Sequence, residues 1–370
     1  MGFESKCLNC ILKFPDRGTG IASVMKHKLF SCTSLASSFF GIFIPCMLIS
    51  ACSHAPEYAS VRGYAQGGEY SVTYNREGVT ADGQTVAHAI DSILTLVDTS
   101  LSGYNKASIL SRYNAGAEVR PNRLFLDVLD RCRDYWNLTG GALDVAAGPL
   151  YDAWGFGFRN ASLPSAGTVD SLRAICGMDK LLPDLTSSVP GVCPVLNFNA
   201  VAQGYTCDLV AAYLHSLGVK DMLVDIGEIY CEGVNAKGNF WKVGVDRPVD
   251  GNMTPGADLD GIWQGDGRGC GIVTSGNYRK YYEKDGKKYS HTIDPRTGYP
   301  VSHSLLSATI VTGNAADADA YATYCMVIGL EEAKAFISSA PDVEGYLIYD
   351  QDGQMKEWAS EGFNIVSQEQ

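Results

Sequence analysis

Basic charge is what this sequence has least of. Lys and Arg number 29 against 41 Asp and Glu, for a net charge of −12 and a pI near 4.9. Binding nucleic acid requires a basic face that displaces counterions, and none is available here. Nucleic acid is therefore excluded as a partner. Paired cysteines are missing as well. Seven of the 12 cysteines lie beyond Cys52, at Cys132, Cys176, Cys193, Cys207, Cys231, Cys270 and Cys325. They are odd in number and show no C-x-x-C spacing, which argues against a zinc site and a disulfide framework. They read instead as small buried hydrophobes, with Cys176–Cys193 left as a local bridge that spacing does not decide. No segment recurs at a period of 20–50 residues, so a solenoid is excluded.

What is present is ordinary globular material, with 46% apolar residues and 19% charge in 370 positions, enough for one large or two ordinary domains. Glycine, at 40 residues, exceeds the average usage of about 7%, which favours tight turns or close approach of backbone to a ligand. The first 51 residues read as a leader. Met25-Lys26-His27-Lys28 is a basic stretch, and Leu29–Ala51 is apolar or small and uncharged. Leu48-Ile49-Ser50-Ala51-Cys52 resembles a bacterial lipobox, where the chain is cleaved and the cysteine lipidated. A transmembrane anchor is the alternative, since the run is long enough to span about 30 Å of hydrocarbon. Either reading puts the bulk of the chain outside the cytoplasm. Met25 is the more sensible initiator, and residues 52–60 read as a tether from the lipidated Cys52.

Periodicity then orders the chain. Tyr70-Ser71-Val72-Thr73-Tyr74 alternates as a strand beside a turn at Gln66-Gly67-Gly68. Helical spacing predicts helices over His88–Leu101, Arg123–Asn137, Thr168–Cys176, Thr206–Leu217, Ala315–Ile328 and Glu331–Ser338. The stretch Leu196–Tyr205 is expected to lead from a strand into the Thr206–Leu217 helix, and further strands are predicted at Asp221–Ile226, Trp241–Val245, Ser307–Thr312, Tyr346–Tyr349 and Phe363–Val366, with turns at Gly191–Pro194 and Gly261–Gly269. Asp144 stands out as a carboxylate among apolar neighbours, which implies a specific partner. The small residues around it and Trp154-Gly155-Phe156-Gly157-Phe158 make either a packed turn or the wall of an apolar pocket.

The stretch 271–301 carries most of the chemistry. Thr274-Ser275-Gly276 and Thr297-Gly298 are hydroxyl-plus-glycine turns, whose hydroxyls and free N–H groups suit an anion such as phosphate. Between them, His291 and Asp294 could handle protons or a metal. On the following predicted helix, Asp319 and Thr323 are four residues apart and share a face. A carboxylate and a hydroxyl so placed could hold a hard cation such as Mg²⁺; local capping of the first helical turn is the other reading.

Taken together, SGYN…SRYN, GGALD…GPL…WGFG, NFNAVAQGY, VDIG, TSGNY…SHTIDPRTGYPV and ADAYAT resemble the ApbE-type FAD:protein FMN transferase family from about Tyr64 to the C-terminus. Each motif alone is weak, while the ordered set is specific. The resemblance implies an α+β fold, a single compact T-fold-related domain over 61–370 after a lipoprotein signal. It implies Mg²⁺-dependent transfer of the FMN half of FAD to a Thr or Ser hydroxyl of a partner protein, with release of AMP. It places the flavin donor between Ala142-Leu143-Asp144 and the turn Asn197–Gln203, with Tyr104 near the flavin. It assigns the metal to the main-chain oxygen of Ala200 with Asp319 and Thr323, and it sets His291 and Asp294 beside the pyrophosphate and Thr274-Ser275-Gly276 at the phosphate-side turn. The expected partner is a membrane redox subunit with a Thr/Ser acceptor motif. This chain has no D-x-x-T-G-A-T acceptor of its own, which favours action in trans.

The sequence departs from the family pattern at four places. Asn197 stands for the usual Asp, and Gln203 for Lys or Glu. Ile226-Gly227-Glu228 stands for an I-G-G turn, and Gln66-Gly67-Gly68 for Met-Gly-Thr. The first two remove charge on the donor side and keep two alternatives open: an FAD pyrophosphatase giving FMN and AMP, and a non-catalytic FAD-binding lipoprotein.

Overall fold

Alternation of buried and exposed residues along Gly68–Asn75, with Tyr70, Val72 and Tyr74 inward, sets the second strand of a hairpin that opens the fold. The structure is a computed structural model, and it describes residues 57–366 apart from 159–162, 250, 253, 278–280 and 285–286. The basic stretch, the apolar run and Cys52 lie outside the described residues. The hairpin turns on Gln66 and Gly67, both in the left-handed region, the geometry a two-residue hairpin loop needs.

Eight strands form the main sheet: β1 (Tyr58–Ala65), β2 (Gly68–Asn75), β3 (Met222–Asp225), β4 (Ile229–Glu232), β5 (Cys270–Gly276), β6 (Leu305–Thr312), β7 (Glu344–Gln351) and β8 (Gln354–Ala359). They lie side by side in chain order, every pair antiparallel. The helices and a smaller sheet are excursions from this meander. Period-two alternation divides the side chains between the two faces. Val273, Ala308, Ile310 and Leu347 pack toward helices. Ile272, Val311, Tyr346 and Ile348 pack with Val243, Val245 and Trp263 of a three-stranded sheet.

On the helical face sit α1 (Gly83–Leu101), α2 (Arg123–Leu138), α3 (Ala202–Ser216), α4 (Ala315–Ile328) and α5 (Leu330–Ser339). Each start has a local cause where a cap is available. Asp82 accepts from the Thr85 N–H at 2.8 Å, Asn122 from Phe125 at 2.9 Å and Asn314 from Asp317 at 2.8 Å. The Asp82 cap starts α1 at Gly83, five residues before the expected start at His88. Helix α4 is rich in alanine and largely buried, which lets it lie close against the sheet. Gly271 is where they meet: a Cβ there would come within 2.3 Å of the Ala315 Cα.

Several expectations need correcting. Leu196–Asn199 is not a strand, because its backbone is used elsewhere: the Asn114 side chain takes the Leu196 N–H and bonds the Leu196 carbonyl, each at 2.8 Å, and the Asn197 N–H goes to Val145 O. Within the expected turn cluster 261–269, Leu259–Gln264 is a strand that buries Gly261 and Trp263. Strand β8 escapes a hydrophobic pattern because it is a mostly exposed edge. Lys287–Ser290 is a short strand, and Ile293–Asp294 pairs separately with Tyr299–Pro300. Cys176 and Cys193 are both free thiols.

Candidate active site

A cavity of about 620 Å³ opens where the end of β5 meets α4, the loop 197–201 and the turn 142–145. Into it come Tyr104, Ala142, Leu143, Asp144, Asn197, Ala200, Thr274, Ser275, Gly276, His291, Asp319 and Thr323. Twelve residues separated by up to 219 positions in the chain thus share one wall. Gln203 and Asp294, also expected at the site, do not line it.

Strand and helix geometry place the oxygen-bearing groups. Ser275 is two residues beyond Val273 and shares its face toward α4, where its hydroxyl lies 3.4 Å from that of Thr323. Thr274 points the other way and bonds the Thr309 hydroxyl across the ladder at 2.7 Å. Asp319, one helical turn before Thr323, is buried and accepts the Gly204 N–H at 3.2 Å. That N–H is the donor a regular helix would send to the Ala200 carbonyl. Among the described residues no hydrogen bond reaches the Ala200 carbonyl, so an acceptor oxygen is left on the cavity wall.

Burial pushes the Asp319 carboxyl up to about 7; the Gly204 amide opposes the shift and the nearby Asp208 adds to it. Asp208 is pushed to about 7 by the same cause, against the N–H groups of Ala315 and Ala316, which it accepts at 2.7 and 3.0 Å. Asp208 thereby satisfies the N-terminus of α4 and fixes the helix that carries Asp319 and Thr323. Its signal in the sequence was a lone carboxylate within the apolar helix 206–217, the same signal that flags Asp144.

A metal can be tested against this donor set. No cluster of three or more His, Cys, Asp or Glu able to hold a metal occurs among the described residues. The available set is one carboxylate, one hydroxyl and the orphaned Ala200 carbonyl, all hard oxygens. That chemistry suits Mg²⁺, which takes few protein ligands and completes its shell with water and phosphate.

His291 is held from both sides. Ser290 and Thr292 each donate a hydroxyl to the Asn277 side-chain oxygen, at 2.6 and 2.7 Å, and the imidazole meets the Phe156 ring edge-on at 6.3 Å. Asp294 faces another task. Its two oxygens take the Arg296 guanidinium at 2.9 Å each, and its backbone closes the turn to Gly298. Trp154 buries itself against that turn, donating to Gly298 O at 2.8 Å.

On the donor side, Asp144 accepts from the Ala146 N–H at 2.8 Å and from Met178 at 3.0 Å. Those amides are the partners its burial required; burial raises its pKa and the amides resist. Asn197 accepts the Asn199 N–H at 2.9 Å, the local turn an Asp could equally make. Tyr104, 69% exposed, forms the rim with Phe158 edge-on at 5.2 Å. Gln203 lies beneath the loop, donating to Ile226 O at 3.3 Å. Glu228 brings to the cavity wall a side chain that a glycine turn would lack. Asn199 and Glu228 line the cavity from turns that the sequence marks, whereas Tyr135 and Tyr151 also line it and nothing in their local spacing singled them out.

The ApbE family model matches residues 67–347. An FAD:protein FMN transferase of Vibrio cholerae is 33% identical over 326 residues, covering 86% of this chain and 95% of the relative. One of Escherichia coli is 31% identical over 335 residues, covering 84% and 90%. Among solved structures, the flavin transferase ApbE of Vibrio cholerae superposes with a TM-score of 0.71 at 31% identity, over 83% of this chain and 98% of that one. The Pseudomonas stutzeri flavinyl transferase ApbE gives 0.72 at 29% identity, over 83% and 95%.

Proposed function

The chain belongs to the ApbE family, and we propose that it is an FAD:protein FMN transferase that moves FMN from FAD to a Thr or Ser hydroxyl of a partner protein and releases AMP. One observation carries the reading: a single cavity of about 620 Å³ gathers the hydroxyl-bearing end of β5 at Thr274–Gly276, which is paired strand and not the expected turn, with His291, the Asp319–Thr323 pair and the donor-side turns, a size suited to a nucleotide ligand.

In this reading the acceptor hydroxyl attacks the phosphorus of the FMN half. The new P–O bond forms as the bond to the AMP phosphate breaks. His291 takes the hydroxyl proton, a role worth about 10²–10⁴ in rate. It is preferred to Asp294 because it lines the cavity while the Asp294 carboxylate is engaged with Arg296. Ser275, Thr323 and the backbone of Gly276 line the phosphate side. Asp319, Thr323 and the Ala200 carbonyl would hold Mg²⁺. Bound there, the ion supplies Lewis-acid neutralisation of pyrophosphate charge. Tyr104 at the rim offers a face for the isoalloxazine, and the turn at Ala142–Asp144 closes the other side.

The same proposal places the enzyme outside the cytoplasm, anchored by lipid at Cys52, with a membrane redox subunit as acceptor. Its support is the lipobox-like Leu48–Cys52 behind an apolar run and a basic stretch.

The test is to incubate the protein with FAD, Mg²⁺ and an acceptor domain bearing a Thr in a D-x-x-T-G-A-T segment. Fluorescent flavin that stays on the acceptor through denaturing electrophoresis is the expected result. FMN and AMP released with an unlabelled acceptor would identify a pyrophosphatase instead, and intact FAD would identify a carrier.

A further inference from the structure

Cys231 on β4 and Cys270 on β5 stand directly opposite each other in the antiparallel ladder. Both are buried, and their sulfurs are 3.9 Å apart. No other pair of cysteine sulfurs comes within hydrogen-bonding range among the described residues. Residues opposed in an antiparallel pair have Cα atoms roughly 4.5–5.5 Å apart, inside the range of about 4.4–6.8 Å that a disulfide bridges. Both side chains point to the same face, among Val243, Trp263 and Ile272, so closing the bond requires a rotation of the two thiols and no movement of the strands.

We propose that Cys231 and Cys270 form a cross-strand disulfide when the chain folds in the presence of a small-molecule or protein disulfide as oxidant. Two S–H bonds break and one S–S bond forms. The two electrons and two protons reduce the oxidant's disulfide to two thiols. The hydrogen bond to Cys270 and burial hold the Cys231 thiol far above its ordinary range, so little attacking thiolate exists once the sheet is closed. Exchange therefore occurs while the strands are pairing, and the finished bond is shielded from reduction by the same burial. The closed loop spans a sequence separation of 39, long enough to remove considerable entropy from the unfolded chain. The bond would tie β4 to β5, the strand that runs on into Thr274–Gly276.

The full chain, reduced and denatured, is refolded in a mixture of glutathione and glutathione disulfide, alkylated and digested without reduction. The expected product is a linked peptide pair containing Cys231 and Cys270, two hydrogens lighter than the reduced peptides. Its Tm should exceed that of the protein refolded under reductant by on the order of 5 °C, a difference that Cys270→Ser removes. Recovery of both cysteines in alkylated form after oxidative refolding, or linkage of either to a different cysteine, would overturn the proposal. Peptide mapping of the unmutated chain decides the matter even if the variant fails to fold.

Discussion

Asp319 joins two roles at one carboxylate, because it accepts the Gly204 N–H and faces the cavity. Asp319→Asn keeps an acceptor for that N–H and removes the charge. We expect it to retain the fold by circular dichroism and to lose at least about 10²-fold of Mg²⁺-dependent AMP release, as removal of an electrostatic stabiliser does; unchanged release would mean the ligand set is wrong. The Asp208–Asp319 pair also sets a pH dependence. Both carboxyls sit near 7 in the folded chain, above the ordinary value of 3.8, so the fold holds protons that the unfolded chain has released. Their contribution to stability is full below the unfolded pKa and is lost as pH rises through about 7. Without divalent cation, Tm should fall between pH 5 and pH 8, and Asp319→Asn should flatten that slope. A wild-type slope identical to the variant's would contradict the assignment. His291→Ala should cost about 10²–10⁴ in rate with FAD affinity by fluorescence quenching little changed, while Asp294→Asn costs less. The reverse order would move the base to Asp294.

At the scale of elements, the site depends on where α4 lies. Gly204 on α3 and Gly271 on β5 both close on Ala315, with an added Cβ 2.2 Å from its carbonyl oxygen or 2.3 Å from its Cα. These neighbours are backbone and cannot rotate away. Gly271→Ala should therefore cost about 1–3 kcal/mol or more as overpacking, read by urea denaturation, and should weaken Mg²⁺-dependent activity by displacing Asp319 and Thr323. A neutral effect on both would show that α4 is not seated by this contact. The elements themselves were largely legible. Helix α4 was bounded at Ala315–Ile328 by its Asn314 cap and the terminating Gly329. The expected strand leading in from Leu196 is absent because the Asn114 amide takes both the N–H and the carbonyl of Leu196, a contact 82 positions away that local sequence does not show. Leu259–Gln264 was hidden by its glycine, which makes room for Ile365, 3.1 Å from an added Cβ.

Across the whole molecule, antiparallel strands in chain order form a frame whose long excursions return to one end of β5. This is why motifs far apart in sequence meet at one cavity. The ordered motif set carried that convergence, and local chemistry could not: Tyr135 reaches the wall from α2 with its hydroxyl on Asp317, 182 positions away in the chain. Asp294 illustrates the reverse, a motif residue whose carboxylate is spent on Arg296. Of the departures on the donor side, Asn197 retains the turn-forming bond of an aspartate, and Gln203 donates to Ile226 O as a carboxylate could not. Neither breaks the cavity. The central claim is transfer to a protein hydroxyl, and intact-mass spectrometry of the acceptor domain after reaction with FAD and Mg²⁺ tests it most directly. The account predicts a gain of one FMN less one water per acceptor, matched by one AMP released and abolished by replacing the acceptor threonine with alanine. An acceptor of unchanged mass beside consumed FAD would contradict it.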